Sequence, residues 1–215
     1  MTGVMQVMLG GSFAPAVPTT IGQAFGGGFY AGKINVSGTQ YYLIVAPKAS
    51  GEASNKLWGV PGVTTGITSV INGPTNSASL AALGVAYEAA TFCEDLTIGS
   101  YTDWYLPAKN ELEVLYYFLK PTTDANNTDA GSNANAVSPE PISTAYTSGS
   151  PAQTTATGTN GFRTGEANAF ASQTYFASTE YNANGEWGQS FIDGDQLYNS
   201  KYDLRYVRAV RRIAV

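Results

Sequence analysis

Apolar and polar positions along the chain follow two different periods. From Tyr30 to Val36, and again from Gln40 to Ala46, β-branched and aromatic residues flank Ser37-Gly38-Thr39, which predicts a hairpin. Ahead of it, Phe25-Gly26-Gly27-Gly28-Phe29 reads as a hinge, and residues 1–22 read as an uncharged apolar arm without clean periodicity. Residues 47–75 carry Gly and Pro at short intervals and read as loop, with Trp58 pinning the loop to the core. A helical period then begins. Leu80, Leu83, Tyr87, Ala90 and Cys93 fall on one face of a first helix capped by Asn76 or Ser77. Pro107 fits the first turn of a second helix whose buried stripe is Leu112, Leu115, Tyr116 and Leu119. Glu111 and Glu113 lie toward its positive end, Lys120 at its negative end, and Pro121 stops it.

Residues 121–161 break the pattern. Val137, Ile142 and Tyr146 are the large apolar residues there, among Thr, Asn, Ala, Gly, Ser and Pro. Such a segment cannot make its own core, so it reads as a low-complexity surface insertion. Alternation returns in a meander of strands at Tyr175–Tyr181, Glu186–Ile192 and Leu204–Ile213, with 196–203 as a loop or short strand. Asn182-Ala183-Asn184-Gly185 and Asp193-Gly194-Asp195 supply the turns. Arg205, Arg208, Arg211 and Arg212 lie in the last strand, where Arg208 is placed to answer an internal carboxylate. The elements describe an α+β protein: an arm over 1–22, then a single domain over 23–215.

Composition narrows the chemistry. The 215 residues include no His and one Cys, Cys93. Ser-His-Asp triads, His-ligated metals, internal disulfides and C-x-x-C pairs are therefore excluded. Cys93, on the helix's apolar face, reads as a small buried hydrophobe. Only 13% of residues are charged, against about 25% in typical domains, so neutral polar groups must cover the surface. A net charge of −5 argues against nucleic-acid binding. No apolar run reaches the ~20 residues of a membrane helix, so no membrane insertion is expected. The N-terminal apolar stretch lacks the basic residues that open a Sec signal, which points to synthesis in a host cytoplasm and a final place in a virion.

Tyr101-Thr-Asp-Trp-Tyr-Leu-Pro-Ala-Lys-Asn-Glu-Leu112 resembles the G-x-x-D-W-R-L-P-T-x-x-E-L segment of prokaryotic and phage C-type-lectin-like domains of the Lcl type. Phe176-Ala-Ser-Thr-Glu-Tyr181 resembles their W-S-S-T-E-Y. Trp187-Gly-Gln-Ser-Phe191, Gly194 and Arg205-Tyr-Val-Arg-Ala-Val-Arg211 resemble their W-x-x-x-F, G and R-x-V-R-x-V-R ending. Tyr105 stands where the family has Arg, and Phe176 where it has Trp. The calcium motifs of animal C-type lectins are absent, since Glu140-Pro141 is followed by Ile142. The resemblance implies a C-type-lectin-like fold, with two helices packed on a twisted antiparallel sheet and long loops. It also implies occurrence in phage tail proteins and bacterial adhesins.

Asp103, Trp104, Leu106, Pro107, Glu111, Glu180, Trp187 and Arg208 are expected to be structural. Trp104 and Leu106 should pack the core. Asp103 should accept backbone N–H groups at the helix entry. Glu180 should pair with an Arg of the last strand. Contact chemistry concentrates between 181 and 203. Tyr181, Asn182, Asn184, Asp195, Gln196, Tyr198, Asn199, Lys201 and Tyr202 form the expected ligand-binding set, because Tyr and Asn give contact area and adaptable hydrogen bonds at low entropic cost. The expected role is that of a non-enzymatic phage virion protein, a receptor-binding, fibre-tip or decoration module with no cofactor or metal. Its partners would be tail, baseplate or head subunits at residues 1–22, a host-surface glycan or protein, and further copies of itself, as in a trimer. The alternatives are a carbohydrate-active enzyme pairing Glu180 with Asp193 or Asp195, and a bacterial surface adhesin.

Overall fold

The expected hairpin forms the middle of one sheet in the computed structural model, which describes residues 17–139, 144–154 and 161–215. Its strands are β2 (Gly28–Val36) and β3 (Thr39–Val45). Ser37 and Gly38 both take positive φ, 52° and 93°, as a two-residue turn between right-twisted strands requires. Asn35 Oδ1 accepts the Gly38 N–H at 2.8 Å and holds that turn. β1 (Ala24–Phe25) and the C-terminal β10 (Val210–Ala214) complete the order β1-β2-β3-β10, and β5 (Ala136–Ser138) also pairs with β2.

A second sheet has the order β4-β9-β6-β7-β8, from β4 (Glu52–Lys56), β9 (Arg205–Arg208), β6 (Thr174–Asn182), β7 (Gly185–Ser190) and β8 (Gln196–Ser200). It is antiparallel except between β6 and β9. The last strand, expected as one run, divides at Ala209 between the two sheets. The Ala209 N–H donates to Gly51 O and its carbonyl accepts from Ala46 N–H, so one residue ties the sheets together.

Four local expectations need correction. The segment 47–75 is not all loop, because it holds α1 (Lys48–Gly51) and β4. The first long helix is two, α2 (Gly73–Ala81) and α3 (Glu88–Glu94). Gly84 at φ +108° ends the helical path between them and leaves Leu83 52% exposed, while Leu80, Tyr87, Ala90 and Cys93 still face inward. Asn76 and Ser77 do not cap it. Asn76 Nδ2 donates to Ser69 O, and Ser77 Oγ accepts the Leu106 N–H. The last helix, α4 (Lys109–Leu119), buries Leu112, Leu115, Tyr116 and Leu119 as the stripe requires. Pro107 stands outside it, ahead of the cap residue Ala108, whose N–H donates to Glu111 Oε2 at 2.8 Å.

Helices and sheets enclose two apolar cores. One joins α4 to β2, β3, Tyr175, Phe170 and Phe191. The other joins α2 and α3 to Trp58, Trp104, Leu106, Phe176 and Val207. Trp58 donates its indole N–H to Ala177 O at 2.7 Å, which pins its loop as expected. The surface insertion expected over 121–161 is corrected by its described residues, which place Ala130, Ala136 and Tyr146 in the first core. Asn133 and the Tyr146 hydroxyl donate to the Glu113 carboxylate, and Asn126 accepts from Tyr116 and Lys120. Buried carboxylates and phenols need partners, which draws these polar residues inward. Residues 140–143, with Ile142, and 155–160 lie outside the described residues, as do 1–16 of the expected arm. Of the rest of that arm, Ile21 packs on the first core.

Candidate ligand-binding surface

Strands β6, β7 and β8 carry most of the expected contact residues, and their register sorts them by face. Glu180 pairs with Glu186, Glu186 with Asn199, and Trp187 with Tyr198. Side chains alternate along a strand, so Tyr181, Trp187 and Tyr198 share one face while Glu180, Glu186 and Asn199 share the other.

The first face is aromatic, with Tyr181 and Tyr198 exposed and Trp187 half-buried against the first core. Tyr181 and Tyr198 stack with ring centroids 4.6 Å apart and an interplanar angle of 14°. Trp187 meets Tyr181 edge-on at 5.1 Å, and Lys109 of α4 sets its ammonium 4.1 Å from the Trp187 ring. Tyr198 nevertheless stays 64% exposed and Tyr181 44%. Beside the stack lies a hollow of about 230 Å³, lined by Asn182, Asn184, Gly185, Tyr198, Asn199 and Ser200. Two backbone bonds hold the turn below it: Gly62 N–H to Ala183 O and Lys201 N–H to Asn184 O, both at 3.0 Å. A larger hollow of about 480 Å³ lies along α3, lined by Lys56, Val85, Glu88, Thr91, Phe92, Asp95 and Leu96. It shares no residue with the hairpins.

The second face is charged and buried. Lys201 is fully buried and donates to Glu180 at 2.6 Å and to Val63 O at 2.8 Å, with Trp58 beneath its ammonium. Thr65 and Gly66 N–H groups also donate to Glu180. Burial alone would raise the Glu180 carboxyl, but these donors outweigh it and hold the group below the ordinary carboxylate range. Glu186 is fully buried too, yet neither carboxylate oxygen has a hydrogen-bond partner outside its own residue. Burial, and then the charge of Asp203, push its pKa up to about 8.

Several expected roles change. Lys201 and Asn199 are buried, so neither side chain offers the open contact expected of it. Alternation turns Asn199 away from Tyr198, and the Glu180 carboxylate draws Lys201 inward. Glu180 pairs with Lys201 and not with a last-strand Arg. Asp103 does not cap the helix entry, because its two oxygens receive the Arg211 guanidinium fork at 2.7 and 2.8 Å. Arg208 finds its carboxylate in Glu52, at 2.8 Å. Trp104 and Leu106 are buried as expected. Asp195 and Gln196 sit at the opposite end of β7 from Asn182 and Asn184, so the expected set is not one patch. Tyr202 follows β8 and is 73% exposed. Lys109, Gly185 and Ser200 were not anticipated. Lys109 comes from a distant helix and carries no local signal, whereas Gly185 and Ser200 would follow from the strand register once known.

The opposite end of the hairpins depends on Gly194, at φ +80°. A Cβ there would stand 2.4 Å from the Tyr116 ring, so the turn can close on α4 only with Gly. Among the described residues no His, Cys, Asp or Glu group gathers as a metal site would, and no helix is long and apolar enough to cross a membrane.

The family model described as the Lcl C-terminal domain matches residues 57–211, which span α2 through the start of β10 and include every residue of the aromatic face. The chain belongs to the Lcl C-terminal domain family. No curated protein matches it. Among solved structures, a fimbrial protein from Bacteroides ovatus ATCC 8483 is similar over 79% of this Lcl domain chain, at 16% identity and a TM-score of 0.41. The chain spans 35% of that protein's length.

Proposed function

We propose that this Lcl C-terminal domain is a C-type-lectin-like, non-enzymatic phage virion protein that contacts a host-surface glycan or protein. Its place would be a receptor-binding, fibre-tip or decoration position. The observation that carries the reading is the Tyr181–Tyr198 stack, exposed beside a hollow lined by Asn, Ser and Tyr and backed by a buried ion pair. Large, rigid, amphipathic side chains give contact area at low entropic cost, which is what a recognition surface needs. Family membership and the long connections between strands fit a binding scaffold. Residues 1–22 would join the domain to a tail, baseplate or head subunit, and a homotrimer would present three such surfaces.

The carbohydrate-cleaving alternative finds less support. Lys201 and two backbone N–H groups occupy the Glu180 carboxylate. Its strand partner Glu186 and the end of β7 at Ser190 are roughly 13 Å apart at about 3.3 Å per residue, beyond the span of paired glycosidase carboxylates. Asp193 and Asp195 follow still later. The test is adsorption of the fluorescently labelled full chain to a panel of bacterial cells. The reading expects saturable binding to some strains, competed by unlabelled chain and lost in Tyr198→Ala. Absence of adsorption to every strain, with infection by a particle lacking the chain unchanged, would overturn it.

A further inference from the structure

Resting on that receptor-binding reading, we infer that the hollow beside Tyr198 takes one uncharged saccharide residue, stacked on the Tyr198 ring and hydrogen-bonded by the amides around it. Tyr198 has one ring face on Tyr181 and is still mostly exposed, so its other face is open. An aromatic face suits the apolar C–H face of a pyranose. The stack also fixes the ring's orientation before a ligand arrives, which lowers the ordering cost of binding.

The lining decides the ligand class. Asn184 offers a carbonyl acceptor and an amide donor, Asn182 offers an amide donor beside a carbonyl that already accepts the Asn184 N–H at 2.8 Å, and Ser200 offers a hydroxyl. Sugar hydroxyls donate and accept in the same way. No Asp, Glu, Lys or Arg lines the hollow, so a sulfated, phosphorylated or acidic ligand would be desolvated there without a counter-charge. Two lysines of the neighbouring segments are already engaged: the Lys109 ammonium lies over Trp187, and Lys201 is locked to Glu180 on the opposite face. At about 230 Å³ the hollow falls below the roughly 300–1,000 Å³ of pockets that enclose a drug-sized ligand. It has room for one ring, with the rest of a glycan projecting into solvent. So small a contact gives a weak single site, with a dissociation constant on the order of 0.1–1 mM, and useful adhesion would come from several copies acting together.

The probe is an array of neutral, sialylated and sulfated oligosaccharides, read with the labelled full chain at about 0.15 M and about 1 M NaCl, with and without EDTA. The expected result is binding to neutral glycans that neither salt nor EDTA removes. Tyr198→Ala should lower it by about tenfold or more, Tyr198→Phe should retain it because the ring is kept, and Asn184→Ala should lower it a few-fold. Circular dichroism of each variant establishes that it is folded. Binding confined to anionic glycans, equal binding by wild type and Tyr198→Ala, or no glycan binding at all would each overturn the inference. Cell adsorption separates this failure from failure of the receptor reading. If adsorption survives periodate oxidation of the cells but is lost after protease treatment and in Tyr198→Ala, the ligand is a protein and the receptor reading stands. If periodate removes adsorption, the saccharide assignment is supported.

Discussion

The two faces of β7 are separated by the thickness of a strand and obey opposite rules. On one, Tyr181 and Tyr198 are aromatic and exposed, and Trp187 beside them is half-buried against the first core, as its expected structural role requires. On the other, Glu180, Glu186 and Lys201 are ionisable and buried. A contact surface of neutral side chains is soft unless something fixes it from behind. Here the fixing is electrostatic: the ammonium of Lys201, just beyond β8, holds Glu180 of β6, and Glu180 also binds the 63–66 loop. The contrast teaches that function and anchoring are divided by strand parity. A one-residue slip in register would exchange the two sets and destroy both.

Breaking the anchor should have the largest effect. Lys201→Met keeps the stem over Trp58 but removes the ammonium, leaving Glu180 buried with only backbone donors. Removing one partner of a buried ion pair costs about 3–5 kcal/mol. Urea denaturation at neutral pH should show a loss of that size. The double variant Lys201→Met/Glu180→Leu should recover much of it, because the orphaned charge is gone. A loss below about 1 kcal/mol would mean that the pair behaves as a surface ion pair.

These roles were unevenly legible in the sequence, for physical reasons. The β2–β3 hairpin and the α4 stripe are local patterns, and Ser37-Gly38 and Leu112, Leu115, Tyr116 and Leu119 reveal them directly. The split between α2 and α3 had its signal in Gly84, but helical spacing runs across that residue without a break. Asp103 reads as a helix-entry cap and Glu180 as the partner of a last-strand Arg, while their partners Arg211 and Lys201 lie 108 and 21 residues away with no local sign of either pairing. Residues 121–161 read as solvent-facing chain, since polar composition does not distinguish a loop from a set of partners for buried Glu113, Tyr116 and Lys120. The candidate surface was half legible. Tyr181, Asn182, Asn184 and Tyr198 follow from residue type, but excluding Asn199 and Lys201 needs the β8 register, and 196–203 carries too little alternation to reveal it.

Glu186 offers the next test, because its carboxylate on the buried face has no hydrogen-bond partner outside its own residue. Its carboxyl is protonated in the folded protein up to about pH 8, whereas an ordinary glutamate ionises near 4.5. A group raised in this way leaves stability intact below about 4.5 and removes it as pH rises through about 8. Burial also raises Glu111 and Glu113, each to about 7, and they act in the same direction. The protein should therefore be more stable near pH 5 than near pH 8.5. Glu186→Gln should flatten that slope, by roughly 2–4 kcal/mol across the interval, while the parts due to Glu111 and Glu113 remain. Thermal unfolding followed against pH in both proteins measures the difference. Equal slopes would place water or an ion against the Glu186 carboxylate and remove the case for a protonated group.

The smallest effect on stability should come from the open face. Tyr198→Ala removes a ring that is mostly in solvent and ends the stack with Tyr181, an interaction worth about 0.5–1.5 kcal/mol beyond its burial. Some of this returns as side-chain entropy, so the net loss should be about 1 kcal/mol or less. If the division by parity holds, the same change abolishes adsorption, while Lys201→Met, assayed well below its melting temperature, weakens adsorption only as far as it loosens the hairpin. A Tyr198→Ala protein as unstable as Lys201→Met would show instead that the aromatic stack belongs to the core, and that β7 carries structure on both faces.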